Sequence, residues 1–445
     1  MRPIAIDLFA GAGGMSLGFE QAGFDVVAAV EMDPVHAAVH HYNFPHVKTV
    51  PRSIVGLSGA DIVSGTSAAK RGVAVVFGGP PCQGFSLMGQ RALDDPRNQL
   101  VREFLRIVLE LEPSYFVFEN VKGLTLGEHR EFLQELVLAF ERNGYIVRKP
   151  WQVLNACAYG VPQDRERLIL MGARKGCILP SYPPSVSSPP PRRGSSLLDL
   201  DLGPSCSDAL SDLPDADLFP DLVDSDTVKV ELVPPASFYS RELRCLSDSS
   251  WHDGHRRSWD CTAMTSSMRT EHSAISRRRF ASTAPGTVEP ISRFYKLTAD
   301  GVSNKLRAGT DSARGAFTSP RPIHYVHPRC ITVREMARLH GYPDWFRFHV
   351  TKWHGGRQVG NSVPPPLARA VALQLVGLCG GSRTPADLAH LTLGSPALLA
   401  MSVSDAAAYW CVESPIARRD RKSGATKRRQ IDIEVSTRSG DASHG

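Results

Sequence analysis

No two of the nine cysteines stand at C-x-x-C spacing, and their number is odd. That argues against a zinc ribbon and against a disulfide framework, so reduced thiols and no metal site are expected. No apolar run approaches the roughly 20 residues a membrane span needs. The best candidate, Pro366 to Cys379, is short and is interrupted by Arg369 and Gln374. The N-terminal residues reach Asp7 without the long apolar stretch or small-residue cleavage pattern of a secretory leader. A cytoplasmic protein without a membrane partner is therefore expected. No internal repeat is present.

What remains is ordinary globular material. The chain has 445 residues, 42% of them hydrophobic and 22% charged, enough for one large core and a smaller one. The net charge of +6 permits a polyanionic partner without demanding one.

From residue 4 to residue 173, short apolar runs alternate with helix-like segments. Ile4 to Ala10, Val26 to Glu31, Val73 to Phe77, Tyr115 to Phe118 and Leu168 to Met171 read as strands. Leu100, Phe104, Ile107, Val108 and Leu111 recur at helical spacing. This alternation predicts an α/β fold, a doubly wound and mostly parallel sheet with helices on both faces. Composition then shifts. Residues 180–235 are rich in Pro, Ser and Asp, as loops and linkers are. From Trp251 to Gln358 there are 18 Arg and Lys against 8 Asp and Glu. Helices are predicted over Arg334 to His340, ending at Gly341, and over Pro364 to Cys379. The last thirty or so residues, with Arg418, Arg419, Arg421, Lys422 and Lys427 to Arg429, read as a basic disordered tail.

Three segments carry chemistry. Asp7-Leu8-Phe9-Ala10-Gly11-Ala12-Gly13-Gly14 follows the first strand and opens a helix. Its glycines allow a sharp turn and close approach to a ligand. Ser16 stands where a dinucleotide fingerprint needs its third glycine, and no P-loop Lys follows. Glu31, ending the next strand, can bind ribose hydroxyls. A plain tight turn and a surface carboxylate fit the same residues.

Phe77-Gly78-Gly79-Pro80-Pro81-Cys82-Gln83-Gly84-Phe85-Ser86 follows another strand. Two prolines fix the backbone before Cys82, and glycines open space around it. A lone cysteine is more often a buried structural residue, but this loop favours a presented nucleophile, which needs activation to become a thiolate. Glu119, in Phe118-Glu119-Asn120-Val121, ends the following strand. It should project from the same sheet edge, protonated if the pocket is dry. A helix-terminal carboxylate is the bland alternative.

Taken together these segments resemble the C5-cytosine DNA methyltransferase family, in its prokaryotic restriction-modification form. Gln163-Asp164-Arg165-Glu166-Arg167, Arg334 to Pro343 and Gln358-Val359-Gly360-Asn361-Ser362-Val363-Pro364-Pro365 resemble further blocks of that family, in its usual order. The likeness runs from residue 7 to about 378. It implies a Rossmann-like fold, S-adenosyl-L-methionine as cofactor and double-stranded DNA as substrate, in a monomeric bacterial enzyme with a possible cognate restriction endonuclease. It implies Cys82, Glu119, Arg165 and Arg167 as the catalytic set. Phe9, Gly11, Gly13, Glu31, Met32, Asp61, Ile62, Pro80, Leu100, Asn361 and Val363 would hold the cofactor, Asp61 taking the adenine amino group.

The implied domains are a catalytic domain over 1–175, a target-recognition domain over 176–330, a return to the catalytic domain over 331–380, and a largely disordered basic extension over 381–445. DNA would meet Gln83, Ser86, Arg269, Arg277, Arg278, Arg279, Lys305, Arg307, Arg314 and Arg321. The family often has Thr-Leu in its recognition domain. Here Lys305-Leu306 occupies that place, which leaves the specificity contacts unassigned. An RNA-directed methylase, a catalytically inactive DNA-binding protein and a nicotinamide oxidoreductase are the rival readings. Intact Cys82, Glu119 and arginines speak against the second, and the missing glycine against the third.

Overall fold

The computed structural model describes residues 1–81, 98–127, 129–188, 201–231, 233–235, 237–310, 318–380, 386 and 389–413. Eight strands form one mixed sheet: β1 (Ile4–Leu8), β2 (Asp25–Val30), β3 (Lys48–Val50), β4 (Val75–Gly78), β5 (Tyr115–Val121), β6 (Tyr145–Val147), β7 (Gln152–Asn155) and β8 (Glu166–Arg174). The order is β3-β2-β1-β4-β5-β8-β6, with β7 also on β8. The first five are mutually parallel, and β8 runs antiparallel to β5, β6 and β7.

The helices are α1 (Gly14–Gln21), α2 (Pro34–Asn43), α3 (Gly59–Val63), α4 (Ala68–Arg71), α5 (Gln99–Leu111), α6 (His129–Arg142), α7 (Cys206–Leu210), α8 (Phe238–Leu243), α9 (Ala274–Ser282), α10 (Val333–Arg338), α11 (Lys352–Asn361), α12 (Pro365–Val376) and α13 (Val403–Trp410). Side chains alternate across a strand, and here both faces are covered. Ile4, Ile6, Leu8, Phe116 and Phe118 pack with Phe104 and Ile107 of α5 and Phe132 and Leu136 of α6. Ala5, Phe77, Tyr115 and Val117 pack on the other side with Leu17 and Phe19 of α1 and Leu367 and Val371 of α12. Two buried faces explain why the strands read as unbroken apolar runs.

The helix expected near residue 334 is α10, started by a capping box between Thr332 and Glu335. Pro365 begins α12, a place where its missing N–H costs nothing. The helix lies on α1 so closely that a Cβ on Gly18 would stand 2.5 Å from Ala368 Cβ. Residues from late in the chain thus close a face begun by the first forty. By length and composition alone, the helical stretch Lys352–Cys379 could cross a membrane. Val359, Leu367, Val371 and Leu375 of that stretch lie in the core.

Between residues 201 and 330 the elements are short, and two small apolar clusters form, around Leu222 and Met264 and around Phe280 and Ile323. The expectation of a disordered extension over 381–445 fails for residues 389–413. Leu391–Thr392 pairs with Arg257–Ser258. Leu398 and Leu399 are buried, and Trp410 Nε1 donates to Pro34 O at 3.2 Å. The basic composition of the whole extension hid this apolar segment. The basic clusters themselves, beyond residue 413, lie outside the described residues.

Candidate active site

The loop after β1 turns on left-handed residues: Phe9 (φ 67°), Gly11 (φ 57°) and Gly13 (φ 102°). A Cβ on Gly13 would also stand 2.4 Å from the Phe44 ring, so glycine is required there by conformation and by space. Gly11 N–H donates to Glu31 Oε2 at 2.7 Å, and Asp33 N–H to Glu31 Oε1 at 2.8 Å. Glu31 therefore staples the loop to the end of β2. Burial pushes the Glu31 carboxyl up, while the charge of His36 and the two N–H bonds oppose it.

Ser16, in the place of the third glycine, donates to Asp7 Oδ2 at 2.5 Å and meets His40 Nε2 at 3.1 Å. Burial pushes Asp7 up to about 8 and His40 down to about 3. A hydrogen-bonded serine thus replaces the usual close packing of glycine.

One cavity of about 720 Å³ lies along the carboxyl edge of the parallel strands. Phe9, Gly11, Glu31, Met32, Pro80, Leu100, Asn361 and Val363 line it, and so do Glu119, Arg167, Lys305 and Arg307. Its volume is that of a cofactor site. No Cβ contact closes the space over Gly11. A carboxylate at one end and apolar Phe9, Leu100 and Val363 suit a nucleoside carrying an amino acid, so these residues fit S-adenosyl-L-methionine.

Three expected cofactor residues do not line the cavity: Gly13, Asp61 and Ile62. Asp61 is spent on a capping box with Ser58 at the start of α3. Ile62 is buried in the core beneath α5. The wall there is made by Arg52, Ser53 and Ile54, just after β3. That strand has three residues, too few for a pattern that would have drawn attention to the segment beyond it.

Glu119 and Arg167 sit on adjacent antiparallel strands, near the register pair Val121 and Arg167. Arg167 Nε stands 2.7 Å from Glu119 Oε1, both side chains nearly buried. Burial raises the Glu119 carboxyl above its ordinary value, and Arg167 is the chief opposing charge. A Cβ on Gly79 would stand 2.3 Å from Glu119 Oε2, so a larger residue there would push this carboxyl out of its place. Asn120, to which the sequence assigns no role, donates from Nδ2 to Pro80 O at 3.0 Å. It ties the Pro80-Pro81 turn to β5. Cys82, Gln83 and Ser86 lie outside the described residues, which resume at Asn98.

Arg165 does not share the place of Arg167. It is fully buried and donates to Leu306 O at 3.0 Å and to Gly360 O and Ser362 O, each at 2.7 Å. It is a positioning residue, since three carbonyls occupy both ends of its fork. Gln163 Oε1 also accepts from Leu306 N, at 3.3 Å. Together they hold Lys305 and Arg307, both exposed, at the cavity rim.

The other arginines expected at DNA divide. Arg278 is exposed. Arg277 pairs with Asp217 at 2.6 Å, Arg269 donates to Phe219 O, and Arg279 lies 3.4 Å from Glu289. Arg321 is buried and donates to Ile331 O and Thr270 Oγ1, so its guanidinium cannot meet a phosphate. Arg314 lies outside the described residues. The excess of basic residues over 251–358 overstated the exposed charge. Arg257 pairs with Glu20, Arg329 with Glu335, Arg338 with Asp212 and Arg347 with Asp226, mostly in the interior. Glu20, Asp212 and Asp226 fall outside the stretch that was counted.

A parallel sheet whose carboxyl edge carries a glycine loop, a ribose-type carboxylate and a buried acid beside arginine defines the class: a Rossmann-like, S-adenosylmethionine-dependent methyltransferase. The chain belongs to the C-5 cytosine-specific DNA methylase family, whose model matches residues 4–377. It is 55% identical over 422 residues to the Type II methyltransferase M.XorII of Xanthomonas oryzae pv. oryzae, covering 94% of this chain and 95% of that one. It is 32% identical over 372 residues to M1.HphI of Haemophilus parahaemolyticus, covering 82% and 85%. A DNA modification methyltransferase encoded within an E. coli prophage has a similar crystal structure, with a TM-score of 0.68 and 32% identity, covering 85% of this chain and 100% of that one. The protein is a DNA (cytosine-5-)-methyltransferase of the type II restriction-modification kind.

Proposed function

We propose that the enzyme methylates carbon 5 of a cytosine lifted out of duplex DNA, through a transient bond between Cys82 and carbon 6. The observation that carries this reading is one cavity lined by Gly11 and Glu31 at one end and by Glu119 and Arg167 at the other, with Pro80 and Pro81 on its wall immediately before Cys82. S-adenosyl-L-methionine, held by Phe9, Gly11, Glu31, Met32, Ile54, Leu100, Asn361 and Val363, supplies the electrophilic methyl group that carbon 5 receives.

The residues do the rest. The Cys82 thiolate adds to carbon 6, which makes carbon 5 enamine-like. Glu119, favoured in its protonated form by burial, hydrogen-bonds ring nitrogen 3 and so draws electrons toward it. Arg167 orients that carboxyl and faces the oxygen of the base. After methylation a base, water among the candidates, takes the carbon 5 proton. The electron pair of that C–H bond forms the ring double bond and expels the Cys82 thiolate. The reacting atoms are hidden in a stacked duplex, so the base must flip, at a cost of a few kcal/mol. Lys305, Arg307 and Arg278 offer phosphate contacts that offset it.

By analogy with the type II relatives, the enzyme is a monomeric bacterial modification methylase that protects DNA from a restriction endonuclease acting on the same site. Residues 1–175 and 331–380 would build the catalytic domain and 176–330 the domain that reads the sequence. Duplexes carrying 5-fluorocytosine, incubated with the protein and S-adenosylmethionine, test the covalent route. An adduct mapped to Cys82 is expected. Turnover of ordinary DNA without any trapped adduct would reject the route. Bisulfite sequencing of the methylated DNA would give the target site.

A further inference from the structure

Residues 394–412 lie beyond the family domain, which ends at residue 377, yet they hold two walls of the donor cavity. The first hold is on α2. Trp410 Nε1 donates to Pro34 O at 3.2 Å, and its ring meets the His41 ring edge-on, with centroids 5.6 Å apart. Gly394 N–H donates to Tyr42 O at 2.9 Å, and a Cβ on Gly394 would stand 2.8 Å from Tyr42 Cα. The helix is thus gripped near both ends. Pro34 is its first residue, and Met32, Asp33 and His36 around it line the cavity. The second hold is on the turn before α11. Val350 N–H donates to Leu399 O at 2.9 Å, and His349 Nε2 lies 3.0 Å from Met401 O. A carbonyl only accepts, so that nitrogen carries the proton, and Nδ1 accepts from Thr351 N at 3.1 Å. His349 N–H in turn donates to Gln358 Oε1 at 3.0 Å, which orients the Gln358 amide. Gln358 lines the cavity, and its Nε2 is buried with no partner among the described residues. Leaving such a group unpaired is costly, and an acceptor atom of a ligand would relieve it.

We propose that Trp410 and His349 are positioning residues of the donor pocket: the segment beyond the family domain is a strap that sets the wall at residues 32–36 and the Gln358 amide for S-adenosylmethionine. This rests on the reading of the cavity as the donor site, and it extends that site to a part of the chain that the family blocks do not reach. The strap has its own apolar footing, for Leu398, Leu399, Ala406 and Ala407 are buried. It is therefore packed down on the domain rather than draped over it. No described residue of the strap lines the cavity. Its influence on the donor passes through α2 and through His349 to Gln358.

Two measurements on the full chain test this. The first needs no variant: hydrogen exchange is followed with and without S-adenosylhomocysteine. Coupling between two sites is reciprocal, so bound ligand should slow exchange over residues 394–412 as well as over residues 31–36. The second takes the S-adenosylhomocysteine dissociation constant by calorimetry, together with steady-state kinetics. Trp410→Ala and His349→Ala should each weaken binding, and raise the KM for S-adenosylmethionine, by roughly three- to tenfold. Their kcat at saturating donor and their KM for DNA should stay within about twofold of wild type. His349→Gln, whose amide can still donate to Met401 O, should recover most of the affinity. Leu222→Ala, in the separate cluster with Met264, should lose stability and keep the wild-type donor affinity. Exchange over residues 394–412 that ignores the ligand would overturn the proposal, whether or not a variant folds. So would unchanged donor affinity in both alanine variants, or equal losses in kcat and in both KM values. Absence of S-adenosylhomocysteine binding by the wild type would instead reject the cavity as the donor site and take this inference with it.

Discussion

Arg167 Nε lies 2.7 Å from Glu119 Oε1, across two antiparallel strands that meet at the edge of the parallel sheet. The pair is built into the sheet, so the acid does not depend on a loop for its position. Glu119→Gln keeps the shape and removes the proton. It should lower kcat by about 10² to 10⁴ fold and leave DNA affinity within a few fold, checked by single-turnover methylation and a binding titration. Arg167→Ala leaves the buried carboxyl without its partner and should cost about 1–3 kcal/mol of stability, read from denaturant unfolding.

Asp7 gives stability a pH dependence. Its pKa is about 8 when folded, against an ordinary 3.8, so the folded state holds a proton that the unfolded chain releases. The stabilisation is complete below pH 3.8 and declines as pH rises toward about 8. Asp7→Asn removes this linkage. Across that window the stability difference should move in favour of the variant, by at most about 1.4 kcal/mol per pH unit. Unfolding curves at pH 5, 6.5 and 8 check it, and parallel behaviour of the two proteins would contradict it.

Salt dependence separates the rim cations from the buried ones. Lys305→Ala and Arg307→Ala should each reduce the slope of log affinity against log salt by about 0.9. Arg321→Ala should leave the slope alone and instead lower the melting temperature, because its fork serves Ile331 O and Thr270 Oγ1. An unchanged slope in both rim variants would remove Lys305 and Arg307 from the DNA interface.

Asp61 and Ile54 make a paired test of the donor pocket. Asp61→Ala should lower stability slightly through the lost bonds to Ser58 N–H and Oγ, with S-adenosylhomocysteine affinity unaltered. Ile54→Ala removes apolar surface from the cavity wall and should weaken that affinity by roughly tenfold, since deleted methylenes are worth about 0.8 kcal/mol each. The reverse pattern would restore Asp61 to the pocket.

The sheet was legible because buried strands leave unbroken apolar runs, and Ile4 to Leu8 and Tyr115 to Phe118 are such runs. The glycine loop and Glu119 were legible because special backbone and an acid at a strand end are local signals. Asp61 misled because an acid beside a β-branched residue looks alike in a cap and in a pocket; only the path of the chain after β3 separates them. Arg165 and Arg167 are two residues apart and alike in type. What divides them is who receives the guanidinium, a carboxyl 2.7 Å away for one and carbonyls of residues 306, 360 and 362 for the other. The buried arginines of the basic stretch misled for the same reason, since Glu20, Asp212 and Asp226, the partners of Arg257, Arg338 and Arg347, lie far off in sequence.

The docking of α12 on α1 has a bearing on how the enzyme comes into being. A nascent chain that has passed residue 175 owns every strand of the sheet, yet one flank of it is bare, with Leu17 and Phe19 awaiting Leu367 and Val371. Such a flank is sticky in water and must wait on the ribosome's remaining output. The donor pocket waits with it, for Asn361 and Val363 arrive on the same late segment. A pocket of this make therefore closes only after residues 361–376 have been made and docked.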